Sequence, residues 1–160
     1  MRSLALLAPV SLVALLSSSL TWPHKPSALT FQFQYAAKVV CASPNGRGPL
    51  VVQAYATSIN VNNPSDSLIV FLRKRLVITF PPGFQIPQKG LASFNDSLIA
   101  TYALTTDCRD LRKHYSLTQP FFEGFVVIQS TLQLDVVSVY TVPGGIDVVP
   151  VAERKIFVGQ

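Results

Sequence analysis

From Phe31 onward, short runs of apolar and polar residues alternate and are separated by turn residues. Phe31-Gln32-Phe33-Gln34-Tyr35 alternates strictly between aromatic and amide side chains. On a pleated strand this pattern places the aromatic rings on one face and the amides on the other. Such runs predict six or seven strands, at about residues 31–41, 50–61, 67–80, 98–106, 121–128, 134–142 and 146–157, the last interrupted by Pro150.

No helical pattern of 10 to 15 residues separates these runs, so the sequence favours an all-β fold over a parallel βαβ fold. We expect an antiparallel two-sheet β-sandwich, immunoglobulin-like or jelly-roll-like, over residues 31–157. One short helical turn is predicted near 108–114, with Asp107 as its cap. Residues 84–97 contain Pro87 and Gly90 and are predicted to be a loop with at most a short strand.

The N-terminal segment has the layout of a secretory signal. Arg2 precedes an uncharged apolar stretch over residues 3–20. Ser17 and Ser19 provide the small residues that a cleavage site before Leu20 needs. We expect a signal peptide over residues 1–19, followed by a tail over 20–30, with a second tail at 158–160. The protein is then exported to the periplasm or the extracellular space. The alternative is an uncleaved anchor formed by residues 3–20, because that stretch is long for the apolar region of a signal and borderline for a membrane span.

Two cysteines, Cys41 and Cys108, are separated by 67 residues. In an oxidising compartment they most simply form a disulfide, the alternatives being two buried thiols or an intermolecular bond. Neither belongs to a C-x-x-C pair, and His24 and His114 are not at ligand spacing from them, so we expect no metal and no cofactor.

The candidate catalytic groups do not form a recognisable motif. Cys108 with His114 as base, and Asp107 or Asp110 as orienting acid, has the right residue types but lies on one short turn, which does not aim the imidazole at the thiol. No G-x-S-x-G, G-x-G-x-x-G, G-x-x-x-x-G-K or H-E-x-x-H motif occurs. A hydrolase would need a non-local pair among eight acids, most of which lie in predicted turns.

The chain carries a net charge of +5. Its basic residues are scattered rather than grouped along one face with aromatic residues, which argues against a nucleic-acid partner. Arg73, Lys74 and Arg75 are the exception. These three cations indicate either a polyanion-binding patch or an exposed strand protected against pairing with other chains, and we expect a bend or bulge there.

The most apolar part of the chain lies in the two predicted strands at 121–128 and 134–142. Both carry apolar side chains at consecutive positions, so both of their faces are apolar. In a sandwich of this size only one face of each sheet is normally buried. The additional apolar face therefore predicts that these two strands are central in their sheets, and that the protein self-associates through a sheet face.

Three segments, INVNNPSD at 59–66, FEGFVVIQS at 122–130 and LDVVSVYT at 134–141, carry a family likeness. They resemble a group of small uncharacterised bacterial secreted proteins, and more loosely the β-sandwich of the sensory-rhodopsin transducer family. The resemblance implies an antiparallel sandwich, a tendency to oligomerise and no enzymatic activity. It transfers no functional residue.

Together these patterns predict an exported, non-catalytic β-sandwich module with a binding or structural role at the cell envelope. An envelope component or an acidic polymer is the expected partner. The alternatives are a secreted hydrolase with a non-local carboxylate pair and a periplasmic module anchored by its N-terminal helix.

Overall fold

The computed structural model describes residues 30–43, 53–80 and 93–156. Within these ranges nine strands form two antiparallel sheets, and there is one helix. The sheets enclose a common apolar core. In chain order the elements are β1 (Phe33–Ala42), β2 (Ala56–Asn62), β3 (Val70–Ile78), β4 (Phe94–Leu98), β5 (Ala103–Asp107), α1 (Cys108–Tyr115), β6 (Phe121–Ser130), β7 (Asp135–Val142), β8 (Gly145–Pro150) and β9 (Glu153–Lys155).

The two sheets differ in size. The five-stranded sheet has the order β4-β3-β6-β1-β9, and the four-stranded sheet has the order β5-β2-β7-β8. The predicted all-β, two-sheet architecture is therefore confirmed. The described residues contain nine strands rather than six or seven, because the last predicted strand divides and because the segment predicted to be a loop with at most a short strand contributes β4.

Both additional strands have a local cause. The predicted strand over 98–106 is broken by a turn in which Thr101 adopts a left-handed backbone with φ 61°. Leu98 thus ends β4, and β5 begins at Ala103. The predicted strand over 146–157 divides after Pro150, the last residue of β8, although the Val151 N–H still donates to the Val136 carbonyl oxygen. The chain then crosses to the other sheet, where β9 pairs with β1.

Strand β3 carries the three consecutive cations without the expected bend or bulge. Its register with β6 runs without interruption from Leu72 opposite Ser130 to Ile78 opposite Gly124. Its register with β4 is equally regular. The expectation of a bulge was wrong because Lys74, the central cation, finds polar partners inside the fold.

The core follows the predicted alternation. In β1 the buried side chains are Tyr35, Ala37, Val39 and Cys41, and the residues between them are partly exposed. The phenol oxygen of Tyr35 accepts a hydrogen bond from the Leu134 N–H at 2.8 Å. Burial raises the pKa of Tyr35 above its usual value. Strand β6, whose apolar pattern indicated a central strand, lies between β3 and β1.

A disulfide joins Cys41 at the end of β1 to Cys108 at the start of α1, with the two Cα atoms 5.7 Å apart. It links the five-stranded sheet to the helix that follows β5 of the four-stranded sheet. A loop of this length is worth about 4 kcal/mol in the chain-entropy model.

The predicted helical segment is α1, and Asp107 caps it. The Asp107 carboxylate accepts from the Asp110 N–H at 2.8 Å, and the Asp110 carboxylate accepts from the Asp107 N–H at 3.2 Å. Leu111 is buried against the core. The Tyr115 hydroxyl accepts from the Leu76 N–H at 2.9 Å, which ties the helix to β3.

The predicted signal peptide or anchor, most of the tail after it and the C-terminal tail lie outside the described residues. Among the residues that the structure describes, no helix combines the length and hydropathy needed to span a bilayer.

Candidate functional site

The three consecutive cations of β3 do not form a single patch. Successive side chains of a strand point to opposite faces, so Arg73 and Arg75 are exposed on the outer face while Lys74 is only 3% exposed. The Lys74 ammonium lies 3.0 Å from the Asp96 carboxylate and 4.7 Å from the centre of the Phe94 ring. Strand β3 is also paired on both sides over residues 72–74, so these cations do not mark a sheet edge.

Arg73 belongs to a polar row that crosses the five-stranded sheet. Directly opposed residues of neighbouring strands share a face, and the registers align five outward-facing residues in this order: Asn95, Arg73, Gln129, Gln34 and Arg154. Strands lie about 4.8 Å apart. The two arginines of the row are therefore separated by about 14 Å, with two glutamines between them.

The side chains of this row are held by neighbours. The Gln129 amide donates to the Gln34 carbonyl oxygen at 3.4 Å. The Arg73 guanidinium lies over the ring of Phe31, 4.6 Å from its centre, which is cation–π geometry. Five outward-facing residues of this sheet, Arg73, Arg75, Arg154, Gln34 and Gln129, are together named the cationic face.

Arg75 extends the cationic face along β3. It lies two residues from Arg73, which on a strand corresponds to about 7 Å on the same face. The two arginines, with Ser93, Val127 and Gln129, line a shallow depression of about 310 Å³. The two guanidinium groups thus border the same hollow, and each offers several N–H donors to a carboxylate, sulfate or phosphate.

Lys38 and the arginines of this outer face differ in their ion pairing. Lys38, also on this outer face, pairs with Glu123 at 3.0 Å. Among the described residues, none of Arg73, Arg75 and Arg154 forms an ion pair. Three guanidinium groups therefore remain available to an external anion.

A second concave region lies where β4 and β5 meet α1. It is a cleft of about 560 Å³, and the residues that line it are Lys74, Phe94, Thr105, Thr106, Asp110, Lys113 and His114. The His114 ring packs on the Phe94 ring, with centres 4.0 Å apart. The acids beside this cleft have structural partners, because Asp96 pairs with Lys74 and Asp110 closes the helix capping box.

The Cys108–His114 pair considered from the sequence is not a nucleophile and its base. The Cys108 sulfur is bonded to Cys41, and the His114 ring packs against the Phe94 ring at an interplanar angle of 47°. A disulfide sulfur carries no thiolate, so this state of the molecule has no cysteine nucleophile.

The sequence contained part of the signal for the cationic face. The alternation at 31–35 placed Gln34 opposite to the aromatic side chains, and the triplet at 73–75 indicated either a polyanion-binding patch or an edge-protecting strand. Gln129 and Arg154 were missed, because only the strand register brings them into line with Arg73.

Comparisons of the chain with protein-family models, with curated proteins and with solved structures find no match. The resemblance to the sensory-rhodopsin transducer family therefore stays a prediction.

Proposed function

We propose that this protein is an exported, non-catalytic β-sandwich module that binds an anionic polymer of the cell envelope through its cationic face. The observation that carries the proposal is the set of three arginines, Arg73, Arg75 and Arg154, on one sheet surface without acidic partners among the described residues. An extended polymer with regularly spaced carboxylate, sulfate or phosphate groups matches such a surface better than a small ligand does.

The dimensions of the cationic face support this class of partner. Arg73 and Arg154 lie about 14 Å apart across the strands, and Arg75 lies about 7 Å from Arg73 along β3. Each guanidinium is able to donate two hydrogen bonds to one anionic group. The glutamine pair between the arginines supplies further donors and acceptors for hydroxyl groups of a sugar polymer.

Export is part of the proposal. The disulfide between Cys41 and Cys108 is compatible with an oxidising compartment, because thiols of cytosolic proteins are usually kept reduced. N-terminal sequencing of the exported protein distinguishes the two predicted forms. A first residue near Leu20 indicates a cleaved signal, and an intact N-terminus in the membrane fraction indicates the anchored form.

Binding is tested with dextran sulfate as the anionic probe and uncharged dextran of the same chain length as its control. We expect the protein to bind dextran sulfate alone, with an affinity that falls as the salt concentration rises. In the Arg73→Gln/Arg75→Gln variant we expect binding about tenfold weaker, which corresponds to about 1.4 kcal/mol. Isothermal titration calorimetry measures both affinities.

A variant of equal net charge separates the cationic face from general electrostatic attraction. Arg109→Gln/Lys113→Gln removes two exposed cations that lie on α1 rather than on the five-stranded sheet, and we expect it to bind like the wild-type protein. Equal losses in the two double variants would reject the cationic face as the binding site. Equal binding to both dextrans would reject the anionic polymer.

A further inference from the structure

Strand β8 is an edge strand of the four-stranded sheet, and among the described strands it pairs with β7 alone. All six of its residues are exposed. Ile146 and Val148 are 71% and 57% exposed and share one face, because they lie two residues apart. An open edge of this kind presents unpaired backbone groups beside apolar side chains, which is a template for another strand.

The other outer strands of the described sheets are less suited to pairing. Strand β4 exposes Asn95, Asp96 and Ser97 in succession. Strand β9 is three residues long and ends in two cations. Strand β5 has five residues and continues directly into α1. Charges, short length and covering elements are the usual means of preventing edge pairing. Strand β8 carries a single charge, Asp147.

The ladder between β7 and β8 determines which backbone groups are free. A two-residue turn makes Val142 and Gly145 a hydrogen-bonded pair, and such pairs recur at every second residue. Val151 keeps this alternation, because its N–H donates to a β7 carbonyl oxygen at 2.8 Å. The N–H and C=O groups of Ile146 and Val148 therefore point towards the open edge.

We propose that β8 pairs in antiparallel fashion with β8 of a second copy of this chain, around a two-fold axis at Val148. A two-fold interface brings one strand against its own copy, so the strand must be compatible with itself. In this register Val148 lies opposite Val148 of the second copy, and Ile146 lies opposite Pro150. Pro150 has no N–H, but its carbonyl oxygen accepts from the Ile146 N–H.

Charge selects this register over its nearest alternative. Pairing around Asp147 would place two carboxylates directly opposite each other, which is destabilising. Pairing around Val148 places Asp147 opposite Val149 instead. The apolar residues of β8 then continue from one copy to the next, and half-buried Val137 and Val139 of β7 flank them on the same outer face.

The proposal is tested by size-exclusion chromatography with light scattering over a dilution series of the purified protein. We expect a dimer that dissociates on dilution. Val148→Lys and Val148→Glu are each expected to be monomeric, because each places two like charges opposite each other. An equimolar mixture of the two variants is expected to dimerise, because Lys then faces Glu. Leu68→Lys, at a leucine that is 53% exposed outside the strands, is the control and is expected to stay dimeric.

Circular dichroism of each variant verifies that the sandwich is folded. A wild-type protein that is monomeric at all concentrations would overturn the proposal. So would a dimer that persists in both charged variants, since its interface must then lie elsewhere. A mixture that remains monomeric would overturn the two-fold axis at Val148.

Discussion

Gly124 of β6 shows how one missing side chain sets the approach of two strands. It faces the interior, opposite Ile78 of β3. A Cβ atom at this position would overlap the backbone carbonyl oxygen of Val77 and would lie 3.0 Å from the Ile78 Cα. Backbone atoms in a central sheet do not move aside as the end of a flexible side chain does, so β3 and β6 pair closely only with glycine here.

Gly124→Ala is therefore expected to lower the free energy of unfolding by about 3 kcal/mol, at the upper end of the usual cost of overpacking. Chemical denaturation monitored by circular dichroism measures the change. Gly145→Ala is the matched control, since its Cβ would meet only a Val142 methyl group at an ordinary 3.8 Å, and we expect a change within about 0.5 kcal/mol. Equal stability of the two variants would contradict the close approach of β3 to β6.

The alternation of β1 was predicted correctly, with Tyr35 buried and Gln34 on the opposite face. Phe31 departs from it, because it lies before β1 and its ring contacts Arg73 of the outer face. At 73–75 both interpretations, a polyanion-binding patch and an edge-protecting strand, treated the three cations as exposed together. Alternation along a strand separates Arg73 and Arg75 from Lys74. Lys74 is accommodated on the buried face because its ammonium group contacts Asp96 and Thr106. These partners are 22 and 32 residues away in sequence, and only the folded structure brings them beside Lys74.

At the scale of the element, α1 depends on its capping residue. The Asp110 N–H is the main cause that lowers the pKa of Asp107 below 3.8, and the Arg109 N–H and guanidinium add to it. A pKa that is lower in the folded state means that the Asp107 carboxylate stabilises the fold above pH 3.8. This contribution is lost as the pH falls through the folded-state value.

Asp107→Asn tests this dependence, because asparagine also caps a helix but does not titrate. We expect the variant to be less stable than the wild-type protein by about 0.5 kcal/mol at neutral pH, from the lost interaction with the helix dipole. The difference is expected to shrink as the pH falls below 3.8. Asp66→Asn, in an exposed turn, controls for the loss of one carboxylate. A difference for Asp107→Asn that stays constant with pH would contradict the charged cap.

The elements themselves were largely predictable, and their exceptions have physical causes. The helical segment after Asp107 followed from capping chemistry, and seven strand regions followed from runs of apolar residues between turn residues. Strand β4 was predicted only as a short strand at most, because Asn95, Asp96 and Ser97 have low strand propensity. It forms because Leu98 is buried on the inner side and because Asp96 pairs with Lys74. Strands β8 and β9 were predicted as one strand, because the alternation of apolar and polar residues does not indicate where the chain crosses from one sheet to the other.

At the scale of the whole molecule, the fold class followed from the sequence but the cationic face did not. Gln34, Arg73, Gln129 and Arg154 come from four strands that are distant along the chain. A shift of one strand by a single residue would turn its members of the row towards the core. The tertiary register creates this surface, and the local pattern provides only its separate pieces.

The most direct test of the account is a titration of the ¹⁵N-labelled protein with dextran sulfate, followed by NMR spectra of the backbone amides and of the arginine side chains. The account predicts that the largest shift changes occur at Arg73, Arg75, Gln129 and Arg154, while the amides of the four-stranded sheet and the His114 region stay unchanged. Largest changes in the cleft around His114, or on the outer face of the four-stranded sheet, would contradict it.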